Sequence, residues 1–295
     1  MKSNFLLFLT AMIWGFAFVA QRKGMDYIGP FLFNGIRFTL GGVSLLPIYF
    51  FIRKKPKSSA INKKNGLTGL FLSAGTAGLF MFAGSGFQQI GVQYTTAGNA
   101  GFITGLYVVI VPVIGLFAKN KISRQTWLGV FLALLGMYLL SVKGNFDLQK
   151  GDVLVFVSAF FFAAHVHLLS VITRKYDALS ISIIQFFVCA GINLIIAFID
   201  EPFVPDLIFS AAIPILYAGI FSVGIAYTLQ VIAQKEAEPA HAAIILSLES
   251  VFAVVGGMLF LSETMSMRGL LGCGLMLAGM ILSQIKFRNS YKKSD

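Results

Sequence analysis

The chain matches itself at a fixed offset of 143 residues, and each copy carries five apolar segments of membrane-spanning length. Leu116-Phe117, Ser123, Leu128-Gly129 and Gly136-Met137 fall without gaps on Leu259-Phe260, Ser266, Leu271-Gly272 and Gly279-Met280, and Asn120 falls on Glu263. At an offset of 148, Arg37-Phe38 falls on Gln185-Phe186 and Ala11 on Ala159, so the first copy holds a longer loop around residues 53–65. Five is odd, so the second copy must enter the membrane from the opposite side. An inverted repeat of this kind points to alternating-access transport, with a substrate site between the halves near the midplane.

A spanning helix needs roughly 20 apolar residues. Such segments lie near 4–22, 30–52, 66–90, 96–118, 124–142, 151–172, 179–199, 208–234, 239–261 and 267–287. Only 12% of the residues are charged and mean hydropathy is +0.82, so the bilayer and not a soluble core absorbs this surface. The expected fold class is an all-α membrane protein of ten transmembrane helices in two inverted five-helix repeats. The expected boundaries are 1–145 for the first repeat, 146–288 for the second and 289–295 for a cytoplasmic tail. The first span has Lys2 near its start but no small-residue cleavage site, so it reads as a retained helix and not a signal peptide.

The net charge of +11 does not imply nucleic-acid binding, because the basic residues sit in short loops between spans. With the N-terminus inside, 17 Lys and Arg fall on the cytoplasmic side, 5 fall outside, and Arg37 lies within a span. That asymmetry places both termini in the cytoplasm and requires an even number of spans. Cys189 and Cys273 each lie within an apolar span, so neither is expected in a structural disulfide. Small residues at four-residue spacing, Ala97, Gly101, Gly105 and Ala74, Gly78, read as helix-packing faces. A hinge at Gly84 and Gly86 is a weaker reading.

Ionisable groups in hydrocarbon cost about 2.5–3.5 kcal/mol each on insertion scales, so each needs a reason. Glu249 lies near the middle of helix 9 and, through the repeat, opposite Leu106 and Tyr107. Dehydration penalises the charged carboxyl, which makes Glu249 a candidate for carrying a coupling proton. The alternative is a brace hydrogen-bonded to a neighbouring helix. Arg37, two turns inside helix 2, reads either as a weak attractor of anions or as a snorkelling or carbonyl-paired side chain at the helix surface. Its counterpart Gln185 is uncharged, so the halves share no charge site. His165 and His167 are two apart and diverge by about 200° on a helix, so no metal site is expected. One of them faces the interior, and His241 is expected at the interface. Trp14, Asn99, Tyr107, His165, Tyr227, Gln230 and Glu249 are the candidate substrate-binding residues. Tyr227 and Gln230, three apart, share a helix face. Gln88 and Gln89 lie near the outer end of helix 3.

Several short motifs add a family likeness. Trp14-Gly15 is followed by Pro30 and Arg37-Phe38; the run Gly91-Val92-Gln93-Tyr94-Thr95-Thr96-Ala97-Gly98-Asn99-Ala100 enters helix 4. The second copy has Leu248-Glu249-Ser250-Val251-Phe252-Ala253 and Leu261-Ser262-Glu263. Together these resemble the drug/metabolite transporter superfamily, in particular its ten-helix EamA-type family, over nearly the whole chain. Two departures stand out. Ser250 replaces the usual Pro, so a kink in helix 9 does not follow from the resemblance, and Asn120 replaces the usual Glu. The resemblance implies a plasma-membrane transporter of small polar or amphipathic solutes, more often exporting than importing, with two halves around a central cavity.

The leading expectation is therefore a secondary transporter. No phosphate-binding loop supports ATP-driven transport, and no filter motif or ring of charge supports a channel. An intramembrane enzyme using Glu249 with His165 or His167 lacks a nucleophile motif or metal set. A non-transporting sensor or assembly subunit lacks a soluble partner-binding domain. The expected partners are a small-molecule substrate and the lipid bilayer, without nucleic acid; a homodimer is left open, and no cofactor is expected.

Overall fold

The computed structural model describes residues 2–53, 66–117, 122–141, 150–262, 264 and 266–284. The basic loop at 54–65, the residues Asn120 and Glu263, and the tail from 285 lie outside them. In hydrocarbon each backbone N–H and C=O must be paired within the protein, and a helix does this within one segment. Ten helical rods result: α1 (Lys2–Gly24), α2 (Pro30–Arg53), α3 (Leu67–Val92), α4 (Ala97–Phe117), α5 (Arg124–Ser141), α6 (Lys150–Ile172), α7 (Ala178–Asp200), α8 (Ala212–Gln234), α9 (Pro239–Phe260) and α10 (Met267–Gln284). A six-residue helix, Pro205–Ser210, precedes α8, so the long apolar run from 208 is two elements. Eight rods are long and apolar enough to cross a bilayer; α5 and α10 have 18 residues each. Thr96 caps α4 by accepting from the Asn99 N–H, and Asp177 caps α7 by accepting from Ser180 N–H. Cys189 and Cys273 are both free.

The rods pack in pairs that the internal repeat interchanges. Adding five to each helix number turns α1 against α8 into α6 against α3, α1 against α9 into α6 against α4, and α2 against α8 into α7 against α3, and all of these pairs pack together. Three pairs map onto themselves: α2 with α7, α4 with α9, and α5 with α10. Directions follow from contacts. Gly129 packs on Gly279 and Gly136 on Gly272, so α5 and α10 run antiparallel; the 143-residue offset exchanges these two contacts. Gly35 against Leu194 and Gly42 against Phe187 give the same result for α2 and α7. Equivalent helices therefore run in opposite directions, which is the inversion expected from an odd repeat. Phe8–Phe252 and Phe16–Phe260 ring contacts make α1 parallel to α9. Ser3 of α1 bonds Glu236 just before α9, and Ser283 of α10 approaches His241, so the start of α1 and the end of α10 share one face. We call this the terminal face.

The small-residue faces act in packing, as expected. Gly101 meets Ala253, and Gly78 meets Val188. Helix α3 runs unbroken through Gly84 and Gly86.

At the α5–α10 crossing a Cβ on Gly136 or Gly279 would meet the partner's backbone carbonyl. Gly136→Val and Gly279→Val should each destabilise the protein by about 1–3 kcal/mol, the usual cost of overpacking. Gly274→Ala, which adds a methyl with nothing within 4 Å, is the control and should melt like wild type. Unchanged thermal melting of both valine variants in detergent would refute this account of the crossing.

Candidate functional site

Two helices are interrupted at the same depth. In α4 the segments Ala97–Gly105 and Tyr107–Phe117 meet at Leu106; in α9 the segments Pro239–Leu246 and Glu249–Phe260 meet at Ser247-Leu248. Leu106 and Glu249 are repeat equivalents. Tightened i→i+3 bonds keep the backbone paired at each break: Leu106 N–H to Ile103 O, Leu248 N–H to Ile245 O, and Ser250 N–H to Ser247 O. The break in α9 thus forms without a proline. The Ser250 hydroxyl donates to Gly101 O on α4 at 2.7 Å, tying the two interrupted helices together. A third irregularity is a π-wound stretch of α8, Tyr217–Tyr227. Its carbonyls receive side chains of α1: Trp14 Nε1 to Ser222 O at 3.2 Å and Thr10 Oγ1 to Ala226 O at 3.2 Å.

These irregularities surround one cavity. Its volume is about 30 Å³. Trp14, Phe18 and Gln21 of α1 line it at helical i, i+4, i+7 spacing. Phe162, His165 and Val166 of α6 line the facing wall, and Trp14 and Phe18 are the repeat equivalents of Phe162 and Val166. Arg37, Gln88, Thr104 and Tyr107 come from α2, α3 and α4; Ser222, Tyr227 and Gln230 from α8; Leu246 and Glu249 from α9.

Seven of the eight residues singled out from sequence meet here: Trp14, Arg37, Tyr107, His165, Tyr227, Gln230 and Glu249. Asn99 does not. It lines a separate open pocket with Arg22, Lys23, Asp26 and Thr96, at the face opposite the terminal one. Its place in the first turn of α4, capped by Thr96, puts it well before the break at Leu106. Arg37 is also corrected: it is 2% exposed and lines the cavity, so it neither snorkels nor sits at a helix surface. Sequence reasoning missed Phe18 and Gln21, whose signal is their spacing from Trp14, and Thr104, three before Tyr107. Gln88, placed only near a helix end, lines the cavity and donates to Thr104 Oγ1 at 3.0 Å.

Tyr227 is the hub of the aromatic wall. Its ring lies 4.5 Å from Trp14, 6.1 Å from Phe38 and from Phe186, and 6.3 Å from His165. His165 Nε2 bonds Gln185 Oε1 at 3.0 Å, and His167 Nε2 bonds Val111 O at 2.6 Å, so only His165 faces the cavity. Tyr107 and Glu249 line the cavity from the two interrupted helices, and Tyr107 Oη and Glu249 Oε1 are buried without a hydrogen-bond partner. Gln21 Oε1, Arg37 Nε and Gln230 Oε1 are likewise buried and unpartnered. Among the described residues no group of three or more His, Cys, Asp or Glu is placed to hold a metal.

Ser250→Ala removes the tie between α4 and α9. We expect a loss of roughly 0.6–2 kcal/mol, the range for interhelical hydrogen bonds in membranes. Detergent unfolding curves superimposable on wild type would count against that role.

A model of the EamA-like transporter family matches residues 1–142 and again 149–284. An Archaeoglobus fulgidus protein described as an uncharacterized transporter is 31% identical over 95% of this chain and 85% of its own length. A Bacillus subtilis protein with the same description is 24% identical, covering 94% of each chain. A Salmonella typhimurium "Probable amino-acid metabolite efflux pump" is 26% identical over 55% of this chain and 51% of its own. One solved crystal structure superposes with a TM-score of 0.72 at 17% identity, covering 96% of both chains, which shows the shared fold.

Proposed function

This chain belongs to the EamA-like transporter family, a family of transporters and not of enzymes, and on that footing we propose that it is a secondary-active exporter of small polar or amphipathic metabolites working by alternating access. One observation carries the mechanism. The cavity lies between two apolar plugs that the repeat interchanges. Toward the terminal face, Leu7, Val111, Val166, Ala233 and Ile245 of α1, α4, α6, α8 and α9 pack together. Toward the other face, Phe18, Val92, Ala100, Val155 and Ala253 of α1, α3, α4, α6 and α9 do the same. Adding five to the first set of helices yields the second set. Two equivalent barriers around one site are what alternating access requires, since opening either leaves the other shut. Export is supported by the Salmonella relative, which is described as a probable efflux pump.

Within this reading the repeats run over 1–145 and 146–288, the tail 289–295 is cytoplasmic, and the terminal face is the cytoplasmic face of the plasma membrane. Cysteines at Ser59 and Ser290, which lie outside the described residues, should label only from inside. Labelling of either by an impermeant thiol reagent in intact cells would reverse the topology.

Trp14, Tyr107, His165, Tyr227, Gln230 and Glu249 are the proposed substrate contacts, and Glu249 carries the coupling proton. It opens the second half-helix of α9, where the helix dipole favours an anion. Its dry surroundings oppose one, so the two influences compete over its charge. Glu249→Gln fixes the uncharged form. That variant should fold and exchange substrate across the membrane, yet lose accumulation driven by a pH gradient. Full gradient-driven transport by well-folded Glu249→Gln in liposomes would leave Glu249 as a structural brace. The transporter reading itself is tested by loading liposomes with the small-molecule fraction of a cell extract: solutes must leave only when the protein is present.

A further inference from the structure

Two positions related by the repeat have different surroundings. Gln185 on α7 is the equivalent of Arg37 on α2 at the 148-residue offset. Gln185 Oε1 meets His165 Nε2 at 3.0 Å, so the second-half position finds a partner inside the protein. Arg37 finds none. Its guanidinium carbon lies 5.7 Å from the centre of the Phe33 ring and 5.0 Å from that of Phe38. Its Nε is buried without a hydrogen-bond partner. Among the described residues no carboxylate comes within salt-bridge reach of it, whereas the exposed Arg22 has Asp26 at 2.9 Å. Glu249 and Tyr227 line the same cavity.

A guanidinium stays charged in proteins. An unpaired charge away from water is unfavourable, and aromatic faces offset only part of that. Two rings from its own helix therefore hold this cation in place without neutralising it. The cation also belongs to the wall of the central cavity, where a bound solute can reach it.

We propose that Arg37 is the anion subsite of this cavity and that the solute carried is a small monocarboxylate, whose carboxylate pairs with the guanidinium. The proposal rests on the transporter reading above. One guanidinium balances one negative charge, and the acid of Glu249 in the same cavity adds no positive charge, so a doubly charged phosphate ester is the poorer match. The planar fork of arginine suits a carboxylate in two-point contact. The unpartnered acceptors Gln21 Oε1 and Gln230 Oε1 require donors, so the rest of the solute carries hydroxyl or amino groups.

The test uses the full-length protein in liposomes loaded with the small-molecule fraction of a cell extract, with mass spectrometry of what leaves. The solutes released by wild type should share a carboxylate. Arg37→Gln should slow their release by roughly 30-fold or more, the low end for losing one partner of a buried charge pair. Arg37→Lys, which keeps the charge without the fork, should retain part of the rate and shows that the position tolerates change. Release of solutes without a carboxylate, or wild-type release of carboxylates by folded Arg37→Gln, overturns the proposal while leaving the transporter reading intact. No protein-dependent release of any solute defeats the transporter reading and this proposal with it. A structural inorganic ion is the rival occupant. Stabilisation of wild type but not Arg37→Gln by chloride, with carboxylate-free solutes released, assigns Arg37 to that ion and overturns the proposal.

Discussion

In hydrocarbon no water is available to pair a backbone group, and the rest of this structure depends on that. It forces each of the long apolar segments into a helix and confines irregular backbone to places shielded by protein. The three irregularities, at Leu106, at Ser247-Leu248 and in the π-wound stretch of α8, all border the central cavity. Each is satisfied locally or by a neighbour. Tightened bonds close the two breaks, and Trp14, Thr10 and Ser250 donate across to carbonyls of adjacent helices. The polar character of the cavity and its irregular walls therefore have one origin: there a side chain or a backbone group of one helix stands in for water to another.

Helix packing supplies the second level of order. Lipid gives no hydrophobic drive for one helix to leave it for another, so association relies on close approach at small residues. Such approaches occur on the self-paired crossings, at Gly129–Gly279, Gly136–Gly272 and Gly35 of α2 against α7, and also between α3 and α6 at Gly91–Gly151. Gly15 plays a related part beside the cavity: a Cβ there would overlap Phe252, so its absence lets α1 approach α9 at the turn that carries Glu249. Crossings that the repeat maps onto themselves fix the symmetry axis, and the cavity, lined by the repeat-related pairs Trp14 with Phe162 and Phe18 with Val166, lies around that axis.

Much of this was legible in the sequence because the signals are long. A 22-residue match at one offset and ten apolar runs average out local ambiguity, so the inverted architecture follows from counting. The deep polar residues were legible for a different reason: in a span the unfavourable transfer into lipid makes Glu249 and Arg37 conspicuous. What was not legible is direction around a helix axis. Asn99 is polar and lies in a span-like segment, but it belongs to the first turn after a cap and lines the other pocket. Arg37 reads equally as lipid-edge or interior until α2 is rotated into place by Gly35, Gly41 and Gly42 against α7 and α8. The break in α9 was hidden because proline is its usual marker, whereas here serine holds the geometry through a bond to another helix.

A symmetric scaffold also explains why the chemistry is asymmetric. The repeat makes two conformers of related geometry, each closed by one of two equivalent plugs. Ionisable groups are a separate matter, because a residue near the axis is brought close to its own equivalent. A carboxylate at both Leu106 and Glu249 would set two like charges at one depth in a dry cavity, and a guanidinium at both Arg37 and Gln185 would repeat the problem with the opposite sign. The chain instead keeps one member of each pair ionisable and makes the other apolar or neutral. Leucine interrupts α4 without a charge, and Gln185 is bonded to His165. At both of these pairs the ionisable member lines the cavity, and comparing the copies residue by residue along their inner faces locates the chemistry that the shared fold leaves unspecified.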